Sequence, residues 1–298
     1  MAATVAFLSV WGPFSCWRCF DLRVRRYMAG CFILFAGWML IVIVKYAVLW
    51  DPAVELLWYS FYVPLLFVPM LCVFTALRAA GVDERPSVVR CRRLLIAANA
   101  LLLALVFTNG LHHAVFSFDA ADPDWSENYE YAPVYYAVYA MAVGQFVAFF
   151  SLLFANACRQ LRGAIVTVSL ICALAVVYGL AFVLRAPFFF SGNFSLSYTW
   201  FVCVAIELCF DFGLIPAFAY YGRLFQTLPM DVKVFSRSSE GGDAPILSTF
   251  RAGPVTSQGR ACVKACAAGP VRLISDVTPD VVYHAQRVSG GITLVTED

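Results

Sequence analysis

The chain has 298 residues, 62% of them apolar or aromatic and only 13% charged, with a formal net charge of +2 at pH 7. Soluble domains carry about a quarter charged residues, so the composition excludes an ordinary soluble fold and marks a membrane protein. No nucleic-acid partner is expected.

The chain opens with AATVAFLSVWGPFSCW, which is apolar but shorter than the roughly 20 residues a spanning helix needs, and Gly12-Pro13 interrupts it. A truncated extra span, a re-entrant piece and an interfacial helix all fit. No basic stretch precedes the apolar part and no small-residue cleavage site follows, which argues against a removable signal peptide. Cys16-Trp-Arg-Cys19 has the C-x-x-C spacing of redox and zinc sites but lacks a second pair or a nearby histidine. Six runs long enough to cross a membrane come next, at 28–50, 53–77, 94–116, 132–156, 164–184 and 199–221. The predicted fold is therefore an all-α polytopic membrane bundle of six helices, with the N-terminal run as a possible seventh.

Orientation follows from the arginines of the short loops. Arg18, Arg23, Arg25 and Arg26 cluster before the first span, Arg78, Arg85, Arg90, Arg92 and Arg93 after the second, and Arg159 and Arg162 after the fourth. The alternate loops collect acids such as Asp119, Asp122 and Glu127, and are rimmed by Trp50, Trp58, Tyr129 and Tyr135. The arginine loops are read as cytoplasmic, which puts everything after the last span in the cytoplasm.

Polar groups inside apolar runs are the candidate functional residues, because ionisable side chains are costly there. Thr108, Asn109, His112 and His113 fall within an arc of roughly 140° on a helix at 100° per residue, so they can face one crevice. Interhelical hydrogen bonding, a signal or ligand pocket, and metal or haem ligation are the competing readings, although adjacent histidines point apart and do not readily chelate one ion. Glu207 and Asp211 lie one helical turn apart on one face. Glu207 is too deep for easy snorkelling, so it is either protonated or met by a donor such as Asn99, Asn109, Gln145, His112 or His113. Pro216 is expected to kink the last span, making Asp211 and Pro216 candidate transmission residues.

After Leu224 the apolar runs shorten and period-two alternation begins. MDVKVFS (230–236) and PILSTF (245–250) read as strands, GRACVKACAAG (259–269) as a helix, and residues 281–297 as a hairpin around Ser-Gly-Gly. The predicted organisation is an N-terminal apolar segment with its basic turn (1–27), a helical bundle (28–222) and a small cytoplasmic α/β module (223–298).

TNGLHHAVFSF (108–118), Glu207 followed by Gly213-Leu-Ile-Pro216, LFQTLP (224–229) and SGGITLVTED (289–298) stand in an order that resembles the N-terminal seven-transmembrane sensor region of bacterial histidine kinases. The resemblance implies a PAS-like segment after the last helix, with a signalling helix and an ATPase domain beyond it. It also implies residence in the bacterial inner membrane and homodimerisation. The chain departs from the family pattern in its abbreviated first helix, in Gly110 where relatives carry an acid, and in Ala217-Phe218 where small polar residues are usual. The signalling helix would begin where this sequence reaches Glu297-Asp298. The three histidines are His112, His113 and His284, two of them in apolar runs and one in a predicted strand, and no Gly-rich nucleotide loop follows. Autophosphorylation by this polypeptide is not expected, and neither a cofactor nor a metal is called for.

The expected function is a sensor or receptor module that reads an unknown small-molecule signal in membrane lipid and acts through a partner kinase or response regulator. Asn109, His112, His113 and Glu207 are the signal-pocket candidates. A small-molecule transporter or channel subunit is the alternative, though no internal repeat supports it.

Overall fold

The computed structural model describes residues 2–19, 21–47, 51–118, 129–156, 162–184, 193–212 and 214–215, together with the backbones of five strands between 231 and 297. Helix α1 (Ala2–Arg18) is followed by α2 (Leu22–Ala47), the pair α3 (Asp51–Tyr59) and α4 (Tyr62–Ala79), and α5 (Pro86–Phe107). A single turn, α6 (Asn109–His112), leads into a two-stranded hairpin of β1 (Phe116–Phe118) and β2 (Tyr129–Tyr131). Helices α7 (Pro133–Asn156), α8 (Arg162–Val183) and α9 (Phe194–Asp211) complete the bundle.

Five stretches are long and apolar enough to cross a membrane: Leu22–Lys45, Ala53–Ala79, Pro133–Ala155, Val166–Val183 and Phe194–Asp211. Together they make the chain a polytopic helical membrane protein. The run expected at 94–116 differs from the prediction. Pro86, whose fixed φ suits the first helical turn, starts α5 eight residues earlier, so every window of spanning length includes Arg90, Arg92 and Arg93. The helix then ends at Phe107, leaving an apolar part of about 21 Å at 1.5 Å per residue.

The Ala53–Ala79 stretch is 67% buried by the rest of the protein, against 6% for Val166–Val183. That contrast makes α4 the axis of the bundle and α8 its rim. Helix α4 packs on α2 and on α7, through fully buried residues such as Leu66, Val68 and Cys72. A Schellman closure ends it: Gly81, at φ 68°, donates to Arg78 O, and Val82 N donates to Leu77 O at 3.1 Å. Polar glue joins three helices at mid-bundle, where Gln145 Nε2 donates to Asn99 Oδ1 at 2.8 Å and Asn99 Nδ2 reaches Leu66 O at 3.5 Å. Amide pairs of this kind tie helices together where lipid supplies no competing water.

The N-terminal run, left open by its length, is a continuous helix lying lengthwise in the bundle. Phe7 stacks on Trp200 at 4.7 Å and Arg18 reaches Asp211, so α1 runs parallel to α9. It lies against α2 as well, where Trp11 sits edge-on to Phe32 at 4.8 Å. A β-carbon at Gly12 would stand 3.0 Å from the Phe32 ring, so glycine permits this approach.

Downstream, β3 (Asp231–Ser236), β4 (Ile246–Phe250), β5 (Val271–Ile274), β6 (Val282–Ser289) and β7 (Ile292–Glu297) form one antiparallel sheet in the order β4-β3-β7-β6-β5. Three predicted strand regions match β3, β4 and the β6–β7 hairpin. Strand β5 was not foreseen, because VRLI is too short for alternation to register, and the helix predicted at 259–269 lies outside the described residues.

Gly12→Val is expected to lower the thermal stability of the detergent-solubilised protein by about 1–3 kcal/mol, the usual range for overpacking. Gly37→Ala, whose new methyl meets nothing within 4 Å, is expected to be neutral or slightly stabilising, because alanine is the better helix former.

Candidate functional site: an ion cluster and an aromatic cavity joined by one helix

Two sites lie at opposite ends of α9. The first is at the end carrying the arginine loops. Glu207, four residues from the end of α9, accepts Trp11 Nε1–H on Oε2 at 3.0 Å and Arg18 Nη1 on Oε1. Arg18 Nη2 lies 3.5 Å from Asp211 Oδ1. Arg18 is only 5% exposed, and its guanidinium lies over the Phe14 and Phe210 rings at 5.6 and 5.1 Å. A buried guanidinium is tolerable only when paired and bonded. Here two carboxylates and two ring faces meet it.

A second ionic knot lies beside it. Arg78 bonds Asp21 at 2.6 Å and Asp83 at 3.2 Å, while Arg23 reaches Asp83 at 3.2 Å and Glu84 at 3.0 Å. These bonds tie the α1–α2 turn to the loop after α4, which fixes the start of α2 relative to the axis helix. Cys19, between α1 and α2, donates Sγ to Ser15 O at 3.4 Å, and burial pushes its thiol up to about 12. A thiol held protonated in this way is a poor redox or zinc ligand. Among the described residues no group of three or more His, Cys, Asp or Glu is placed to hold a metal.

The opposite end is aromatic. Asn109 is fully buried, and its amide serves as a latch for the turn that follows. Oδ1 accepts Val115 N at 2.9 Å and Phe116 N at 3.1 Å, while Nδ2 donates to Phe116 O at 3.1 Å and Tyr59 Oη at 3.2 Å. Tyr59 in turn donates to Glu55 at 2.7 Å. Phe116, held by that latch, packs on Trp58 at 4.5 Å and Tyr135 at 5.5 Å. His112 Nδ1 accepts Ala114 N at 3.0 Å, so the ring proton is assigned to Nε2, which faces Thr108 Oγ1 at 3.2 Å. Thr108 Oγ1 passes its own hydrogen to Ala104 O at 2.8 Å. His113 takes the left-handed conformation, φ 48°, that closes α6.

Beside this latch lies a cavity of about 200 Å³. Trp38 and Lys45 of α2, Trp58 of α3, Tyr62 of α4, Tyr135 and Tyr139 of α7, and the first residues of α9 line it. Asn193 caps α9 there by accepting Leu196 N at 3.2 Å.

The sequence-predicted residues therefore do not form one crevice. Asn109, His112 and His113 share no helical face, because α5 stops at Phe107 and the chain turns; Asn109 points inward, while both histidines are exposed. Glu207 sits at the other end of the bundle. Its donors are Trp11 and Arg18, rather than Asn99, Asn109, Gln145, His112 or His113. Asn99 and Gln145 are spent on each other. Helix α9 also ends at Asp211, where Leu214 N donates back to Cys209 O at 2.9 Å. The kink expected at Pro216 falls outside the described residues. The signal for the helix end was present in the sequence, since glycine at 213 followed by proline at 216 is a C-terminal stop pattern. Arg18 counts as a loop cation in the sequence and Trp58 as part of an interfacial belt, while Trp38 and Lys45 lie inside an apolar run with no pattern that marks a cavity wall.

Asn109→Ala leaves buried backbone groups at 115 and 116 without partners and is expected to cost about 2–3 kcal/mol of thermal stability, whereas His112→Ala is expected to cost less than about 1 kcal/mol because the ring is exposed. For the ion cluster, Arg18→Met alone is expected to cost about 3 kcal/mol, the low end for breaking a buried pair, as Glu207 keeps 32% of its side chain exposed. Adding Glu207→Leu to Arg18→Met is expected to recover part of that loss. A double-mutant cycle in chemical or thermal unfolding measures the coupling.

No curated protein and no solved structure matches the chain. The family described as the N-terminal 7TM region of histidine kinase matches residues 1–229, which covers α1 to α9 and both sites just described. On that match the chain belongs to the family of histidine-kinase N-terminal 7TM regions, the membrane sensor modules of signal transduction.

Proposed function

We propose that this bundle is the sensor module of a bacterial histidine-kinase-like signalling protein, that it reads a small-molecule signal in the aromatic cavity, and that α9 carries the response to the C-terminal module. The observation that carries this reading is the placement of α9. Its first residues line the cavity, and its last turn holds Glu207 and Asp211 against Arg18. The helix is 18 residues long, about 27 Å at 1.5 Å per residue, so it links the two sites along one rigid rod. A ligand shifts a pair of bundle packings only by its differential affinity for them. An occupant that moves Asn193 and Ser195 must either move or strain the ion cluster at the other end.

In this reading the arginine loops face the cytoplasm of the inner membrane, α1 and α5 join the five full-length stretches to make seven helices, and residues 223–298 are a PAS-like cytoplasmic module. The β-sheet order supports the last point. Strand β3, the first after the bundle, lies between β4 and β7, and it pairs with β7 from Asp231↔Glu297 to Ser236↔Ile292. The strand that receives the chain from the membrane thus lies against the strand that ends the sheet. A displacement of β3 passes to β7 across one ladder, toward a partner kinase, a response regulator or a second copy of the chain.

Among the sequence candidates, Asn109 acts as a positioning residue for the Phe116 wall of the cavity, and Asp211 belongs to the transmission end. His112 and His113, exposed on the neighbouring turn, are offered as contacts for an approaching signal, with Pro216 as part of the exit from α9.

Hydrogen–deuterium exchange on the full chain in nanodiscs tests the transmission. Glu207→Gln, which keeps a hydrogen-bond acceptor but removes the charge, is expected to accelerate exchange in 231–236 and 292–297 as well as in α1. Acceleration confined to α1 and α9 would overturn transmission to the module.

A further inference from the structure

The cavity at the aromatic end has one feature that separates classes of ligand. Among its aromatic walls stands a single cation, Lys45, whose Nζ lies 5.8 Å from the centre of the Phe61 ring. Among the described residues no carboxylate lies within 4 Å of that amine. Glu55 of α3 already accepts the Tyr59 hydroxyl. Trp38, which is 2% exposed and also lines the cavity, has an indole N–H with no acceptor among the described residues.

We infer that the cavity binds a small aromatic carboxylate, its acid group on Lys45 and its ring among Trp38, Trp58 and Tyr135. This rests on the sensor reading above and adds the ligand's charge and size. A box of aromatic rings alone suits a quaternary ammonium ion, but an ammonium group already inside repels a second cation. A neutral ligand would further cover the half-buried Lys45 without supplying a counter-charge, which is costly. A monoanion satisfies the amine, and the charge-assisted bond it forms is shorter and stronger than a neutral one. Size narrows the class further. An apolar cavity of about 150 Å³ takes up benzene, so about 200 Å³ holds one ring with a short acidic arm. The first turn of α9 closes one side of the cavity, so the occupant bears directly on the helix that reaches the ion cluster.

The test uses the full chain in a non-ionic detergent and follows tryptophan fluorescence, with three probes that share one ring size: 3-phenylpropionate, 3-phenylpropanamide and benzyltrimethylammonium. The carboxylate is expected to bind at least about tenfold more tightly than the amide, as a charge-assisted bond implies, and the ammonium probe to bind more weakly still. Lys45→Gln should erase the preference for the acid, and Lys45→Arg should retain it; melting curves without probe establish that both variants fold. Equal binding of acid and amide, or a preference for the ammonium probe, would overturn the ligand class while leaving the cavity as a signal site. If none of the three binds, the ligand proposal falls, and the sensor reading stands or falls separately on the exchange of β3 and β7.

Discussion

The structure depends on a guanidinium that cannot stay in the bundle alone. Arg18 is buried at the end of α1, and its charge is met by Glu207 and Asp211 from the far end of the bundle's sequence. Separated from those acids it would need water, and α1 would have to leave its groove between α2 and α9. Separated from Arg18, the two carboxylates would be a like-charge pair one turn apart on an apolar helix. The buried arginine is therefore tolerable only because the half-exposed acids are present, and this one-sided need holds the first and last helices of the bundle in one register. Trp11 adds direction to this pairing: its N–H takes the second oxygen of Glu207, so the carboxylate is oriented as well as neutralised.

Around that contact the bundle divides its labour. At the arginine end, ionic bonds from Asp21, Arg23, Arg78 and Asp83 fasten the helix ends together. At the other end, packing is aromatic and the polar latch is a single asparagine. Between them, Asn99 and Gln145 join α4, α5 and α7 with amide bonds. Ionic fixing at one end and a partly empty aromatic cluster at the other is an asymmetric arrangement. The cavity end has the space to accept an occupant, and the ionic end is fixed by paired charges.

Much of this architecture was legible in the sequence, and what was not has physical reasons. Apolar run length located α2, α4, α7, α8 and α9, and period-two alternation around Ser-Gly-Gly located the β6–β7 hairpin. Helix α1 was ambiguous because length alone judges a span, and a 17-residue helix with an internal proline falls short. Packing against Phe32 and Trp200 decides its course, and no local pattern encodes that. The sequence offered protonation or a donor for Glu207, and the structure supplies donors to a half-exposed carboxylate. The donor, 189 residues earlier in the chain, lay outside any window that periodicity can read. The turn at Thr108–His113 was read as helix because apolar residues flank it on both sides and no proline stops the run; the left-handed His113 that ends it is a conformational choice that accompanies the Asn109 latch. The cavity was invisible for a different reason. Tryptophan and tyrosine at a span end satisfy the interfacial rule whether they face lipid or one another.

The most direct measurement is the distance distribution between spin labels at Trp17→Cys and Val204→Cys, both exposed positions on α1 and α9, in a background with the other reactive cysteines replaced. It is recorded in nanodiscs with Arg18 intact and with Arg18→Met. A single narrow distance that broadens or splits when Arg18 is lost is the predicted result, since the ion cluster then sets the register of the two helices. An unchanged narrow distribution in Arg18→Met would contradict it and would assign the register to apolar packing alone.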